Sequence, residues 1–283
     1  MKKSVKSFAK INISLDIVRK REDGYHELDS IMLPIELHDS LIISKLVKSD
    51  ENFITVDNFV SGLEHYNLAT QAINALADKY KFTNKFRIYI HKVIPMQAGL
   101  GGGSSNAAFT MKAINSMLNL GASEEELIEL ATPLGADIPF FIPCRPSRCN
   151  GIGEKLTPIE VKNNYYVLLV KPNVGCSTKE VFKICDKKEI KHPDIESVIK
   201  ALKEGDDDLL AASIGNSLEE SAMELVPEIR HIKQTLKDRG FKIVLMSGSG
   251  STVFALSTDL KLMKKVANEL YGHYFVDICK VKK

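Results

Sequence analysis

The sequence predicts an α+β fold with mostly antiparallel or mixed sheets. Strand–turn–strand patterns occur near the N-terminus and again over 242–257, and several helices have apolar residues at three- and four-residue spacing. Because helices and strands are mixed and turns join several strands, this class is favoured. A length of 283 residues suits two modest domains or one large one.

The first half begins as two strands joined by a turn, since apolar residues alternate and Asp-Gly interrupts them. A glycine-rich loop directly follows a strand, and we expect Ser104 or Ser105 to cap the helix after it. Ser123 and Glu126 form a capping-box pattern for the next helix. The predicted elements are strands over 5–15, 31–46 and 85–95, and helices over 67–80, 107–118 and 123–135.

The second half contains a buried strand at 165–170 and a glycine turn between two strands. Gly240 is expected to end one helix, and the charged segment 203–208 is expected to join two others. The predicted elements are helices over 177–185, 195–205, 227–240 and 260–272, the strand pair within 242–257, and a final strand over 273–281.

The composition excludes several classes of protein. The formal net charge of +2 gives no basis for broad binding to nucleic acid or membrane, and no apolar run approaches the length of a membrane span. The N-terminal segment lacks the pattern of a signal peptide. Five cysteines without a C-x-x-C pair argue against a disulfide framework or a zinc site. We therefore expect a cytoplasmic protein with reduced thiols.

The segment PMQAGLGGGSSNAA at 95–108 predicts a phosphate-binding loop. It places four glycines within five residues, between a strand and the start of a helix. The free N–H groups and positive dipole at a helix start attract anions, and glycines allow the backbone to wrap closely around a phosphate. The hydroxyls of Ser104 and Ser105 can donate to a phosphate or help hold magnesium. A flexible surface loop or a close helix contact is the alternative.

Three familiar phosphate-loop patterns do not fit this loop. The chain has no Gly-Lys-Ser or Gly-Lys-Thr, as a Walker loop requires. A dinucleotide fingerprint starting at Gly99 would need glycine at 104, where the chain has serine. The H-R-D and D-F-G triplets of protein kinases are also absent from the sequence.

The loop resembles that of the GHMP kinases, whose shared pattern is P-x-x-x-G-L-G-[SG]-S-[SA]-A-A. Segments at 9–28, 135–141, 151–159 and 246–256 are similar, in order, to further motifs of that family. The three-glycine form followed by Ser-Ser-Asn is similar to the branch that phosphorylates the 2-hydroxyl of a cytidine-diphosphate-linked methylerythritol in the non-mevalonate isoprenoid pathway. The resemblance implies two α+β domains, placed at 1–155 and 156–283, with the active site in the cleft between them.

The resemblance also implies ATP as phosphoryl donor, with Mg²⁺ held mainly through the ATP phosphates and no metal ligand set in the protein. A weaker match places Asn67 and Leu68 on the adenine side. The loop residues implied to bind ATP are Pro95, Met96, Gln97, Ala98, Gly99, Leu100, Gly101, Gly102, Gly103, Ser104 and Ser105.

Two residues match the catalytic pair of the family. Asp137, in GADIPFF, matches the base that accepts the alcohol proton, and its apolar neighbours would make it a better base by partial desolvation. Lys10 matches the lysine that keeps that carboxylate ionised or neutralises the transferred phosphoryl group. From the sequence alone, Asp137 could instead cap a helix, and Lys10 could be a surface lysine.

Seven residues match the substrate side of the family. Tyr25 and Phe182 match aromatics that stack on the two faces of cytosine, and His26 matches the group that binds its polar edge. Phe182 could instead be a core residue of its helix. The other matches are Asn12, Thr178, Gly248 and Gly250; the remaining histidines, His38, His65, His91, His192, His231 and His273, match no chemical role.

The chain departs from the family pattern in two places. Arg145 and Arg148 stand where relatives have small residues, so we expect them either to face solvent or to touch substrate phosphates. Asn106 stands where many relatives have aspartate, which removes one carboxylate near magnesium.

Two other functions stay open at this level. A different GHMP kinase, of the homoserine or mevalonate type, would have no use for a cytosine clamp. A non-catalytic nucleotide-binding protein on the same scaffold would not need Asp137 and Lys10. We expect a small-molecule substrate, no nucleic acid or membrane partner, and a monomer or weak homodimer.

Overall fold

The structure is a computed structural model that describes residues 1–57 and 67–283. The predicted role of Asn67 and Leu68 falls within these ranges, whereas His65 lies outside the described residues. By the contacts between Cα atoms, the chain divides into two compact units that interleave along the sequence. The first unit holds residues 1–9, 38–95 and 101–144, and the second holds 10–37, 96–100 and 145–283. The predicted division at residue 155 stays a prediction.

Long strands contribute to both units. The elements with chain segments in both are β1 (Lys2–Lys20) and β2 (His26–Lys45), which pair with each other. The turn between them carries Asp-Gly at Asp23 and Gly24, where Gly24 has φ +86°. Glycine reaches this left-handed conformation without steric cost, so the turn predicted from the sequence is confirmed.

The first unit contains parts of β1 and β2, two further strands and several helices. The strand β4 (Phe86–His91) pairs antiparallel with residues 40–45 of β2 and parallel with β3 (Phe53–Val56). Its alternating apolar residues are buried, as the sequence pattern predicts. The helices are α1 (Leu68–Tyr80), α2 (Gly102–Leu118), α3 (Glu124–Ala131), a 3₁₀ turn (Thr132–Leu134) and α4 (Ile138–Phe141).

Helix caps in the first unit confirm one prediction and correct another. Ser123 and Glu126 form the predicted capping box at α3. At α2, however, the cap predicted for Ser104 or Ser105 is wrong. The helix begins at Gly102, and its N-cap is Gly101 in the left-handed conformation, without a side-chain cap. Both serines therefore lie inside the first turn of the helix.

The second unit has its own antiparallel sheet, in the order β10 (Phe275–Lys280), β7 (Tyr166–Lys171), β9 (Val253–Ser257) and β8 (Ile243–Met246). Helices cover it, and the core includes Val170, Cys176, Ile229, Met246 and Val253. The helices are α5 (Thr178–Cys185), α6 (Ile195–Glu204), α7 (Asp207–Ser213), α8 (Glu219–Leu225), α9 (Glu228–Asp238) and α10 (Leu260–Leu270).

A further strand pairing lies on the N-terminal part of β2 within the second unit. Residues 28–32 pair antiparallel with β5 (Ser147–Gly151), which pairs in turn with β6 (Lys155–Pro158). The α+β class with mostly antiparallel strands is thus confirmed, and the segment 203–208 joins α6 to α7 as predicted. In the described part of the chain, no helix combines the length and apolar character needed to cross a bilayer.

Candidate active site

The glycine-rich loop contains residues of both units. Residues 96–100 belong to the second unit, whereas Pro95 and the residues from Gly101 onward belong to the first. Gln97, Gly99 and Gly101 all have positive φ, at 49°, 72° and 70°. Glycine adopts this left-handed conformation without steric cost, and it occupies two of the three positions.

The first half of the loop is fixed against a turn of residues 247–252 in the second unit. The carbonyl of Ala98 accepts a hydrogen bond from the N–H of Thr252 at 3.3 Å, and that of Gly99 accepts from the hydroxyl of Ser247 at 2.9 Å. A Cβ at Gly99 would lie 1.9 Å from the carbonyl oxygen of Ser247. Gly99 is therefore required by the close approach of the protein's own backbone.

The second half of the loop becomes the start of α2. The first intrahelical bond is from the N–H of Ser105 to the carbonyl of Gly101, so the N–H groups of Gly102, Gly103 and Ser104 have no helical acceptor before them. At Gly103, which is exposed, an added Cβ would meet nothing closer than the Leu68 Cδ1 atom at 3.8 Å. This helix start is thus open to an anion, and Leu68 lies beside it.

The two serines of the loop have different surroundings. Ser105 is fully buried, and its hydroxyl donates to the carbonyl of Phe8 at 2.6 Å. Its hydroxyl therefore serves the packing of α2 on β1, and the contact of this residue with phosphate or magnesium stays a prediction. Ser104 is half-buried and keeps its place in the candidate site.

A lysine that the sequence reasoning missed lies against the start of α2. The Lys92 ammonium is 2.8 Å from the position of a Cβ on Gly102, and it pairs with the buried carboxylate of Asp39 at 2.6 Å. Asp39 also accepts from the N–H groups of Val93 and Ile94, both at 2.8 Å. In the sequence, Lys92 is a single lysine three residues before Pro95, and no distinctive spacing marks it.

Asn106 belongs to the same buried network. Its side-chain amide donates to Asp39 Oδ2 at 3.0 Å, and its oxygen accepts from the hydroxyl of Ser7. The Asn106 side chain is therefore bound within the first unit. Within residues 1–57 and 67–283, no cluster of three or more His, Cys, Asp or Glu side chains could hold a metal ion.

Asp137 stands at the N-cap position of α4. Its side chain makes no capping hydrogen bond, so the alternative of a purely capping aspartate is not supported. The four residues that follow, Ile138 to Phe141, are all buried, whereas Asp137 itself is partly accessible. The carboxylate thus stands at the edge of an apolar segment, as the sequence predicts.

In the second unit, four predicted residues come together. The Lys10 ammonium donates to Asn12 Oδ1 at 2.5 Å, and both side chains are buried on β1. A Cβ at Gly248 would lie 3.3 Å from each of these two atoms and 3.2 Å from the carbonyl oxygen of Gly99. A buried ammonium, an amide and two glycine backbones therefore converge on one point.

Helix α5 joins this point to the predicted base-binding residues. Thr178, its first residue, shares a 2.8 Å hydrogen bond with the hydroxyl of Ser249 in the turn. One helical turn further, Phe182 stacks on His26, with ring centroids 4.7 Å apart and an interplanar angle of 29°. Phe182 also packs against the core, as the structural interpretation predicts, and its stacking on a base stays a prediction.

The His26 ring is held by a carboxylate. Its Nε2 atom lies 2.6 Å from Asp186 Oδ1, and Lys20 pairs with the same carboxylate. The hydrogen bond from Lys20, followed by that from His26, lowers the pKa of Asp186 below its usual value. Tyr25, by contrast, is 59% exposed on the turn before β2. Sequence reasoning named His26, Tyr25 and Phe182 but missed Asp186.

The two arginines that depart from the family pattern have different places. Arg148 binds Asp29 with two hydrogen bonds, at 2.6 and 2.9 Å, and Glu196 with a third at 2.8 Å. These carboxylates raise its pKa, and whether Arg148 also faces solvent or touches substrate phosphates stays a prediction. Arg145 is exposed and lines an open cavity of about 610 Å³ together with Lys162, Lys203 and Lys283.

The remaining described histidines show no shared site. His192 pairs with Asp16 at 2.7 Å, His91 with Asp57, and the His38 ring packs on Phe8. These contacts agree with the prediction that they are satisfied or surface histidines.

Comparison with known proteins identifies both halves of the chain. The family model for the GHMP kinases N terminal domain matches residues 67–144, and that for the GHMP kinases C terminal matches 198–276. The 4-diphosphocytidyl-2-C-methyl-D-erythritol kinase of Geobacillus sp. (strain WCH70) is 39% identical over 272 residues, which cover 96% of this chain and 94% of that protein. The protein of the same name in Bacillus subtilis (strain 168) is 39% identical over 267 residues, covering 94% and 92%.

Solved structures agree with this match. A crystal structure of 4-(cytidine 5'-diphospho)-2C-methyl-D-erythritol kinase superposes with a TM-score of 0.83 at 29% identity, covering 99% of this chain and 100% of that one. Homoserine kinase from Cytophaga hutchinsonii ATCC 33406 superposes with a TM-score of 0.72 at 17% identity, covering 99% and 94%, and shares the fold.

Proposed function

The chain belongs to the GHMP kinases and, within them, to the 4-diphosphocytidyl-2-C-methyl-D-erythritol kinases, and from this premise we propose the reaction and the residues that carry it. The chain transfers the γ-phosphoryl group of ATP to the 2-hydroxyl of 4-diphosphocytidyl-2-C-methyl-D-erythritol, a step in isoprenoid precursor synthesis. The proposal rests on the similarity to kinases of this name, which extends over nearly their whole length.

The ATP phosphates bind at the start of α2. The open N–H groups of Gly102, Gly103 and Ser104 supply hydrogen-bond donors, and the helix dipole favours negative charge there. Lys92, held by Asp39 against Gly102, adds a positive charge beside them. Asn67 and Leu68 contribute to the adenine side, which the contact of Leu68 with the Gly103 position supports.

Mg²⁺ supplies charge neutralisation on the phosphates of bound ATP. In this proposal the ion is held mainly through the phosphate oxygens of ATP. The Ser104 hydroxyl, half-buried in the first turn of α2, is the side chain we assign to this part of the site.

Asp137 acts as the base and Lys10 as its cationic partner. The substrate hydroxyl attacks the γ-phosphorus, the bond from that phosphorus to the bridging oxygen of ADP breaks, and Asp137 accepts the hydroxyl proton. Phosphoryl transfer needs mainly positioning and charge stabilisation, and a lysine fixed by Asn12 at 2.5 Å provides a preorganised charge.

The cytidine base binds beside His26, Tyr25 and Phe182. Asp186 fixes the orientation of the imidazole by holding Nε2, so Nδ1 is the ring atom left for the polar edge of the base. Exposed Tyr25 provides an aromatic face for stacking. Thr178, Gly248 and Gly250 complete the substrate side around the turn of residues 247–252. The cytoplasmic location and the monomer or weak homodimer stay predictions.

The test is ADP release with MgATP and three separate alcohols. We expect turnover with the cytidyl compound and none with homoserine or mevalonate. Turnover with homoserine or mevalonate instead would keep the kinase and overturn the substrate. Binding of ATP without turnover of any of the three would favour a nucleotide-binding protein without catalysis.

A further inference from the structure

The side chain of Asn216 spans the turn that supports the glycine-rich loop. Its amide nitrogen donates to the carbonyl of Met246 at 2.9 Å and to that of Gly248 at 2.8 Å. Both donors of one amide are thus used to hold the two residues on either side of Ser247. We propose that Asn216 is a positioning residue for the ATP-phosphate loop, an inference that rests on the function proposed above.

Asn216 is itself firmly anchored. Its Oδ1 atom accepts from the N–H of Leu218 at 2.9 Å, so every strong polar group of the side chain except one lone pair is engaged. On the backbone, Leu15 of β1 donates to the carbonyl of Gly215 and accepts from the N–H of Ser217, both at 2.9 Å. The amide therefore projects from a segment that β1 holds on both sides.

Glu219 supports the same turn from another direction. Its carboxylate accepts from the N–H of Met246 at 3.1 Å and pairs with Lys233. Side chains thus hold both backbone groups of Met246, the N–H through Glu219 and the carbonyl through Asn216. Met246 is the last residue of β8, so the point where the turn begins is fixed.

Ser247 transmits this position to the loop. Its hydroxyl donates to the carbonyl of Gly99 at 2.9 Å, and its own carbonyl oxygen occupies the place of a side chain on Gly99. The N–H of Asn12 reaches the same hydroxyl at 3.3 Å. A shift of residues 246–248 would therefore displace Gly99 directly, because the contact leaves no space between the two backbones.

Displacement of Gly99 matters because the loop is short. Gly99 is two residues before Gly101, which caps α2 and precedes the open N–H groups. Binding groups lose much of their effect when they move by a fraction of an ångström from the productive geometry. Asn216 thus acts on ATP binding without contact with ATP, through a chain of hydrogen bonds from β1 to the loop.

The test compares two substitutions of Asn216 with a matched asparagine. Asn216→Asp keeps the shape and the acceptor for Leu218 but turns an oxygen toward two carbonyls; Asn216→Ala removes the amide. The control is Asn163→Ala, because the Asn163 amide also makes three hydrogen bonds within the second unit, to Tyr165, Gly205 and Asp207. The readouts are the Kd for MgATP by calorimetry, the melting temperature, and KM and kcat.

We expect each Asn216 variant to raise the Kd and KM for ATP about tenfold, the equivalent of about 1.4 kcal/mol. Asn163→Ala should lower the melting temperature about as much as the Asn216 variants do, and it should leave the Kd for ATP as in the wild type. Combining Asn216→Ala with Ser247→Ala should raise the Kd by less than the product of the two single effects, because both act through one contact.

Other results would overturn the inference or the function separately. A wild-type Kd for ATP in either folded Asn216 variant would reduce Asn216 to a residue of the fold alone. If one of the two Asn216 variants does not melt cooperatively, the Kd for MgATP of the other variant decides the test. Failure of the wild-type chain to bind MgATP would instead overturn the proposed function.

Discussion

The carbonyl oxygen of Ser247 lies 1.9 Å from the place where a Cβ of residue 99 would stand, and Gly99 has φ +72°. Two backbones 148 residues apart in sequence therefore meet at this glycine. Gly99 and Gly103 of this loop are therefore not equivalent. A Cβ on residue 99 would clash with backbone, whereas a Cβ on residue 103 would enter open space.

Gly99→Ala and Gly103→Ala should separate folding from ATP binding. Gly99→Ala should lower the free energy of unfolding by about 2 kcal/mol or more, because it adds left-handed strain to a clash with backbone. Gly103→Ala should fold at least as stably as the wild type, since alanine favours a helix, yet bind ATP at least about tenfold more weakly if phosphate approaches that backbone. Denaturant unfolding and calorimetry measure the two effects; equal ATP affinity in Gly103→Ala would contradict the site.

Asn106→Asp should destabilise the first unit. The substitution replaces the donor to Asp39 Oδ2, now at 3.0 Å, by a second carboxylate in a buried network. A like charge and a lost hydrogen bond at such a site cost about 1–3 kcal/mol, of which Lys92 can offset a part. Urea unfolding checks this, with Asn106→Ala as the variant that removes the amide without adding charge. An aspartate variant more stable than the alanine variant would contradict this account of the network.

Asp186→Asn should weaken binding of the cytidyl substrate several-fold without a matching change in the KM for ATP. The carboxylate holds His26, and hydrogen bonds from Lys20 and His26 lower its pKa from the usual 3.8. A lowered pKa means that this stabilisation is present above pH 3.8 and is lost as the pH falls through the lower folded value. The stability difference between wild type and variant should therefore disappear in strong acid, which unfolding at several pH values would test.

The thiols of Cys176, Cys185 and Cys279 should resist alkylation at pH 8 in the native protein. Burial raises the pKa of Cys176 to about 11 and that of Cys279 to about 12, and it also raises the pKa of Cys185. Since the thiolate is the nucleophile, a raised pKa leaves these thiols protonated at that pH. Iodoacetamide labelling followed by mass spectrometry should show slow reaction in the folded protein and fast reaction in urea. The Cys176 Sγ atom lies 3.3 Å from the place of a Cβ on Gly250, so fast labelling of Cys176 in the folded protein would show that the turn of residues 247–252 opens.

The sequence predicted what depends on short-range patterns. The capping box of Ser123 and Glu126 and the alternating strand of Phe86–His91 are local, and the structure has both. The cap predicted for Ser104 or Ser105 failed because glycine can begin a helix without a side-chain cap. The α2 helix therefore begins earlier than the preference for serine at the N-cap position indicates.

Contacts between distant parts of the chain could not be predicted in this way. Arg148 binds Asp29 across 119 positions, and Asn216 reaches Gly248 across 32, without a spacing rule that links either pair. Lys92 and Asp186 were missed for the same reason, since a lone lysine or aspartate acquires its role only from its neighbours in the fold. The family resemblance supplied Lys10 and Asp137, whose residue types alone favour surface or capping roles.

The most direct test of the central claim is transfer of radiolabelled γ-phosphate from ATP to 4-diphosphocytidyl-2-C-methyl-D-erythritol by the wild type and by Asp137→Asn. We predict one labelled product, with the new phosphate ester on the 2-hydroxyl by ³¹P NMR, and a kcat about 10²–10⁴-fold lower in the variant at an unchanged Kd for ATP. Equal kcat values in the two proteins would contradict Asp137 as the base. Absence of a labelled product in the wild type, with ATP bound, would contradict the kinase itself.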